Sequence, residues 1–223
     1  MTTTLIIAGL VCVFLFGFIN IFLRLSRIAS NIDFASEYRN KFIEFANKYV
    51  ATYNKQSNPG TLDGDKYVWL TMNVTKIQNA VGNFGIMTFK PAFANYMINN
   101  YQIIVNSLPK FRDGSIDNYE VNSVDDCLLR YIGNLEDYRT DAIKNLKNPI
   151  IWFREGFKEL ISLPLFIFYW FGIFSKRTLR FIMNSFIYKM IVGLFAFIAF
   201  VSGLVTIIVG YKQSMEIIRK LID

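Results

Sequence analysis

Residues 190–210 read MIVGLFAFIAFVSGLVTIIVG, an uncharged run closed by Lys189 before it and Lys212 after it. As a helix rising about 1.5 Å per residue, it covers about 30 Å, the thickness of a bilayer's hydrocarbon core. No other stretch restricts the chain as much, because a backbone in lipid must satisfy its own hydrogen bonds. Residues 190–212 are therefore read as a C-terminal transmembrane helix. Ala196, Ala199, Gly203, Thr206 and Gly210 recur along it at steps of three and four. Small residues at that spacing let helix backbones approach closely, which is how helices associate in lipid. This face is expected to pack on the first apolar helix, through Ala8, Cys12 and Gly17, or on a second copy of itself.

Residues 5–22 (LIIAGLVCVFLFGFINIF) form a second run just long enough to span. No basic residue precedes it and no small-x-small site follows closely, so residues 1–30 are expected to stay as an N-terminal anchor. Arg24 and Arg27 lie on its C-terminal side, and the positive-inside rule then places residues 31–147 in the cytoplasm. A bacterial inner membrane is the expected location, since the chain carries no eukaryotic retention signal.

Between these runs the periodicity is that of amphipathic helices. Phe34, Tyr38, Phe42, Phe45, Tyr49 and Tyr53 make one aromatic stripe, and neither Pro nor Gly separates it from the first apolar run. Asn58-Pro59-Gly60 and Asp63-Gly64 are turn chemistry. Asp63-Gly64-Asp65 lacks the distal ligands of a calcium loop and is read as a turn. A helix over 66–81 follows, then a loop at 82–85 whose two glycines match neither a phosphate loop nor a dinucleotide fingerprint. Phe93, Met97, Tyr101, Ile104 and Leu108 predict a helix from Pro91 to Pro109, and residues 110–122 read as an exposed loop. Ser123-Val124-Asp125-Asp126 resembles a capping box that opens a helix to 147, with Val124, Leu128, Ile132, Leu135, Ala142 and Leu146 inward. Residues 31–147 thus form a domain of about four helices.

Residues 148–189 change character. Over 150–162, Ile150, Phe153, Phe157, Leu160 and Ile161 gather on one side, with Glu155, Lys158, Glu159 and Ser162 on the other. With Trp152 near its start, this fits a membrane-surface helix. Residues 163–174 (LPLFIFYWFGIF) are intensely apolar but short for a span. Either they cross, leaving Lys176, Arg177, Arg180 and Lys189 outside, or they dip in and return, leaving those four on the cytoplasmic face; the absence of any acid among them favours the second. Trp152, Phe153, Phe157, Tyr169, Trp170, Lys176, Arg177 and Arg180 are the expected membrane-interface residues, the basic ones facing anionic headgroups. Residues 213–223 read as a short amphipathic tail.

The fold expected is all-α: N- and C-terminal transmembrane helices flank a helical cytosolic domain, with an amphipathic or re-entrant segment before the last helix. Composition matters mainly for what it excludes. The net charge of +7 is uneven: residues 24–159 hold 17 basic against 15 acidic side chains, and residues 160–223 hold 7 against 2. Charge concentrated beside apolar helices argues against nucleic acid, which needs a clustered basic face with a reader motif. The chain has no histidine, and its two cysteines lack metal-ligand spacing. No catalytic constellation and no cofactor or metal site is therefore expected. The reading is a non-enzymatic, oligomeric interaction subunit that couples a cytosolic protein partner to the membrane. The alternative is a membrane-perturbing, pore- or toxin-like effector.

Overall fold

The computed structural model describes the backbone of residues 2–54, 58–90 and 95–222, with side chains described over 8–53, 60–90 and 95–205 and at 208 and 211. The described chain is mostly helical, with seven helices: α1 (Thr2–Thr52), α2 (Gly64–Val81), α3 (Ile103–Asp113), α4 (Asn118–Leu146), α5 (Pro149–Trp170), α6 (Lys176–Asn184) and α7 (Phe186–Ile222). Two short antiparallel ribbons accompany them, β1 (Tyr53–Asn54) with β2 (Asn58–Pro59), and β3 (Ile86–Phe89) with β4 (Ile98–Gln102). The chain divides into two compact units. One comprises Ser26–Thr140, and the other joins Met1–Leu25 to Asp141–Asp223.

In the Ser26–Thr140 unit, the aromatic stripe on α1 is the core: Tyr38, Phe42, Phe45 and Tyr49 are all buried. Phe111 of α3 packs its ring against three of them, with centroids 6.0 Å from Phe42, 4.9 Å from Phe45 and 5.1 Å from Tyr49. Val124, Leu128 and Leu135 of α4 close the same core. Gln78 of α2 is buried and ties two segments that have no ladder partner there: its amide nitrogen donates to the Gly85 carbonyl, and its oxygen accepts from Ile104 N–H. Arg39 of α1 grips Asp125 of α4 through two hydrogen bonds, 2.6 and 3.1 Å.

Three local expectations differ from this unit. The helix expected over 91–109 is strand β4 at Ile98–Gln102 followed by α3, while residues 91–94 lie outside the described set. The β3–β4 register slips by a residue between Met87 and Phe89, and Asn100 takes a left-handed φ of 58°, which asparagine tolerates better than most residues. Pro109 does not stop α3. Ile103, Ile104, Ser107, Leu108 and Phe111 form one buried face across it, and burying four large apolar side chains, each worth about 1.5–3 kcal/mol, outweighs the roughly 3 kcal/mol of an interior proline. Helix α3 ends instead at Gly114, whose left-handed φ of 67° lets its N–H reach the Lys110 carbonyl. The expected loop over 110–122 is thus largely helix. Asp117, six residues before the expected cap, accepts from Glu120 N–H and opens α4. Asp63 does the same for α2, accepting from Lys66 N–H.

In the other unit, α5 runs through Pro164 as a single 22-residue helix, so the amphipathic stretch 150–162 continues directly into the apolar residues up to Trp170. Asn148 caps it and Pro149 takes the first turn, where its missing N–H costs nothing. A turn at Gly172, φ 75°, leads to α6, which Ser175 caps, and Ser185 separates α6 from α7. The stretches Ala8–Thr52 and Phe186–Val205 contain windows long and apolar enough to cross a membrane, and only 11% of each window is buried.

Candidate functional site

The most constrained feature of the second unit is the seam between α1 and α5. Phe14 meets Phe153 with ring centroids 5.4 Å apart, Gly17 lies on Gly156, and Asn20 donates to a Glu159 oxygen at 2.8 Å. These contacts place Gly17 and Gly156 where α1 and α5 come closest. At Gly17 and Gly156 the backbones touch. A Cβ on Gly17 would fall on the Trp152 carbonyl, with Gly156 N at 2.8 Å; a Cβ on Gly156 would fall on the Val13 carbonyl, with Gly17 N at 3.0 Å. Each glycine thus sits over the carbonyl four residues before the other, a reciprocal approach that only two glycines allow.

Polar groups line one side of this seam. Glu155 is buried and draws three cations, Arg154 at 3.0 Å, Arg24 at 3.4 Å and Lys158 at 3.9 Å. Ser162, fully buried, turns its hydroxyl back to the Lys158 and Glu159 carbonyls and so leaves no donor stranded. Beside the strip runs a groove of about 450 Å³, lined by Gly9, Cys12, Val13, Phe16, Gly156, Leu160 and Leu163 with Glu159 as its one charged group.

A second concavity, about 410 Å³, lies in the Ser26–Thr140 unit beside β3. Exposed Phe84, Ile86 and Tyr119 line it, with Asp126 and Arg130, and Cys127 lines it from a buried position. Burial pushes the Cys127 thiol up to about 11, so at neutral pH it is protonated and a poor nucleophile. Among the described residues no three His, Cys, Asp or Glu side chains gather as a metal site.

Comparison with protein-family models, curated proteins and solved structures gives no match. The site must be read from its own geometry.

The residues singled out in the sequence separate into three groups. On α7, Ala196 and Gly203 are buried and Ala199 is half-buried; a Cβ on Gly203 would meet Leu10 at 3.4 Å, an ordinary contact. The surroundings of Thr206 and Gly210 lie outside what is described. Trp152 and Phe153 turn toward the helices: the Trp152 indole donates to the Leu146 carbonyl and stands edge-on to Phe18, while Phe153 is buried against Phe14, Phe157 and Phe200. Tyr169, Trp170, Lys176, Arg177 and Arg180 are exposed, Trp170 at 82%. Glu155 and Glu159 meet α1 at the seam yet read in the sequence as part of one helix's polar face, and Gly156 carries no sequence signal of its own. Their partners are more than 130 residues away, and spacing within α5 gives no sign of them.

A second buried charge belongs to the Ser26–Thr140 unit. Glu120, 1% exposed, accepts from Lys110 at 2.6 Å and from the Tyr101 hydroxyl at 3.1 Å, and the Lys110 ammonium also stands 4.8 Å above the Phe89 ring. Burial works against the Lys110 ammonium, but the hydrogen bond and charge of Glu120 outweigh it and hold the lysine above its usual value of 10.5. The Tyr101 phenol is raised too, first by burial and then by the same carboxylate. A raised folded value contributes stability that is complete below the unfolded value and disappears as pH climbs through the folded one. Stability is therefore expected to hold near neutrality and to fall above about pH 10. Lys110→Met should lower stability at pH 7 and flatten that alkaline decline, both read by chemical denaturation across pH.

Proposed function

We propose that the protein is a non-enzymatic membrane subunit: Met1–Leu25 and Asp141–Asp223 form its bilayer module, and Ser26–Thr140 is the part that meets a protein partner. The observation that carries this reading is the exposed apolar surface of α1 and α7. Leu15, Phe16, Ile19, Phe22 and Leu23 of α1 stand more than half exposed, as do Met190, Leu194, Phe195, Phe197 and Ile208 of α7. A helix buried in a soluble core would hide such residues. Apolar surface of this extent calls for lipid or for other chains to cover it.

Arg24 and Arg27 support a cytoplasmic position for Ser26–Thr140, and a bacterial inner membrane suits this arrangement. Exposed Lys176, Arg177 and Arg180, near exposed Trp170 and Phe171, suit anionic headgroups at the interface. The crevice with Phe84, Ile86 and Tyr119 is the surface we assign to a protein partner, and exposed Phe195, Phe197 and Ile208 of α7 leave apolar surface for assembly with further copies. Washing membranes from expressing cells with alkaline carbonate tests the first element. The chain should remain in the pellet and leave it only with detergent; release by carbonate alone would remove the reading. Chemical crosslinking in intact membranes then tests assembly, which predicts bands at multiples of the 25.9 kDa chain.

One observation favours a second reading, a membrane-perturbing effector. Glu155 and Glu159 on α5, with Asn20 and Arg24 on α1, put charged and polar groups beside the apolar runs of these helices, an arrangement typical of functional sites in membrane proteins. Reconstituted vesicles separate the two: an effector releases trapped dye, and an interaction subunit leaves the vesicles tight.

A further inference from the structure

We propose that α6 and the turn leading into it form a docking surface for phosphatidylglycerol, whose phosphate settles among Lys176, Arg177 and Arg180 while Phe171, Ile173 and Phe181 enter the acyl region. The proposal rests on the membrane reading given above and names the lipid that this part of the chain selects.

The charge comes first. Lys176 and Arg180 are four residues apart and Arg177 and Arg180 three, so their side chains are neighbours on the helix surface, where like charges oppose the helix. All three are exposed, and residues 160–215 hold no Asp or Glu. Among the described residues none of the three meets a carboxylate, whereas Arg24, Arg154 and Lys158 of the same unit all reach Glu155. Helix α6 has nine residues, too few to be stable alone, and of these Leu179 alone is buried. An anion entering among the three cations removes their repulsion and so stabilises the helix that carries them.

What flanks the cations identifies the carrier of that anion. Trp170 is 82% exposed, Phe181 and Phe186 78% each, Phe171 69% and Ile173 63%. A free phosphate would leave these side chains in water, and an acidic protein surface would have to bring an apolar patch of its own. A phospholipid leaflet covers them and presents phosphate at the same place. The long Lys and Arg stems reach up to that phosphate while the neighbouring aromatic rings lie deeper. Phosphatidylcholine carries a balancing cation beside its phosphate, so the surplus positive charge of α6 prefers phosphatidylglycerol.

The test uses the full chain reconstituted in phosphatidylcholine vesicles, with quenching of Trp170 by dibrominated phosphatidylglycerol or dibrominated phosphatidylcholine taken as the difference from a Trp170→Phe protein. Dibrominated phosphatidylglycerol should quench at the lower mole fraction, by about fivefold for each of the three cations. Replacing all three together, Lys176→Gln, Arg177→Gln and Arg180→Gln, should bring the two lipids level. Salt at about 1 M, where the screening length is about 3 Å, should do the same to the unaltered chain, a check that needs no replacement. Lys144→Gln, whose ammonium already meets Asp141, should leave the preference intact. Equal quenching by the two lipids, or a preference that survives the triple replacement or the salt, would overturn the site. Displacement of the lipid by inorganic phosphate at the same concentration would overturn it too, in favour of a free anion. If carbonate releases the chain from membranes, the site and the membrane reading fall together; if the chain stays embedded and shows no preference, only the site falls.

Discussion

Gly17→Leu should disassemble the α1–α5 seam, with Gly156→Leu doing the same from the other side. Even a single methyl at either position lands on a backbone carbonyl, which cannot rotate away as a side chain can. The helices must separate, and with them go the Phe14–Phe153 and Phe18–Trp152 ring contacts and the Asn20–Glu159 hydrogen bond. The expected loss is about 3 kcal/mol or more, the upper end for overpacking, or a fall of roughly 6–12 °C in Tm for a chain of this size. Gly193→Leu is the control, because a Cβ there meets nothing within 4 Å. Gly203→Ala should be nearly neutral, since the added methyl only reaches Leu10 at ordinary contact distance. Thermal unfolding in detergent, monitored at Trp152, distinguishes these variants. A Gly17→Leu protein as stable as the parent would mean that the two helices do not meet there.

The second large effect is expected at Phe111. Its ring is 1% exposed and contacts Phe42, Phe45 and Tyr49, three residues of the aromatic stripe at once. Phe111→Ala should cost about 3–5 kcal/mol, because it removes the buried ring and leaves a cavity that rigid aromatic neighbours fill poorly. Phe111→Leu retains most of the volume and should cost less. Loss of protease resistance within Ser26–Thr140 is the direct readout. Exposed Met72, at 80%, gives a surface comparison whose replacement by alanine should change little.

The α1 stripe was legible before any coordinates because burial on a helix leaves a period in the sequence, and Tyr38, Phe42, Phe45 and Tyr49 follow it. The same logic misled at 91–109. Tyr101, Ile104 and Leu108 match helical spacing, yet Tyr101 is in a strand and the other two in a helix that begins only at Ile103. Asn99-Asn100 was the available signal there, since paired asparagines favour the left-handed backbone that Asn100 adopts. Asp117 and Ser123 are both competent caps, and residue type alone cannot choose between them. The apolar runs on α1 and α7 were found by length, whereas the seam was not visible at all. Periodicity in α5 puts Glu155, Glu159 and Ser162 on one face and suggests water as their neighbour. What faces the two glutamates is Asn20 and Arg24 of a helix more than 130 residues earlier, and Gly156 leaves no period by which to recognise its partner.

Lipid must cover the exposed faces of α1 and α7 if they form a bilayer module, and spin labels at single sites measure that directly. Labels at Leu15, Ile19, Leu194, Phe197 and Val201 of the reconstituted protein, all exposed and apolar, should collide readily with oxygen, which concentrates in hydrocarbon, and rarely with a water-soluble nickel chelate. A label at exposed Asp137 of the Ser26–Thr140 unit should show the reverse. Nickel accessibility at the apolar sites equal to that at Asp137 would contradict a bilayer-embedded module.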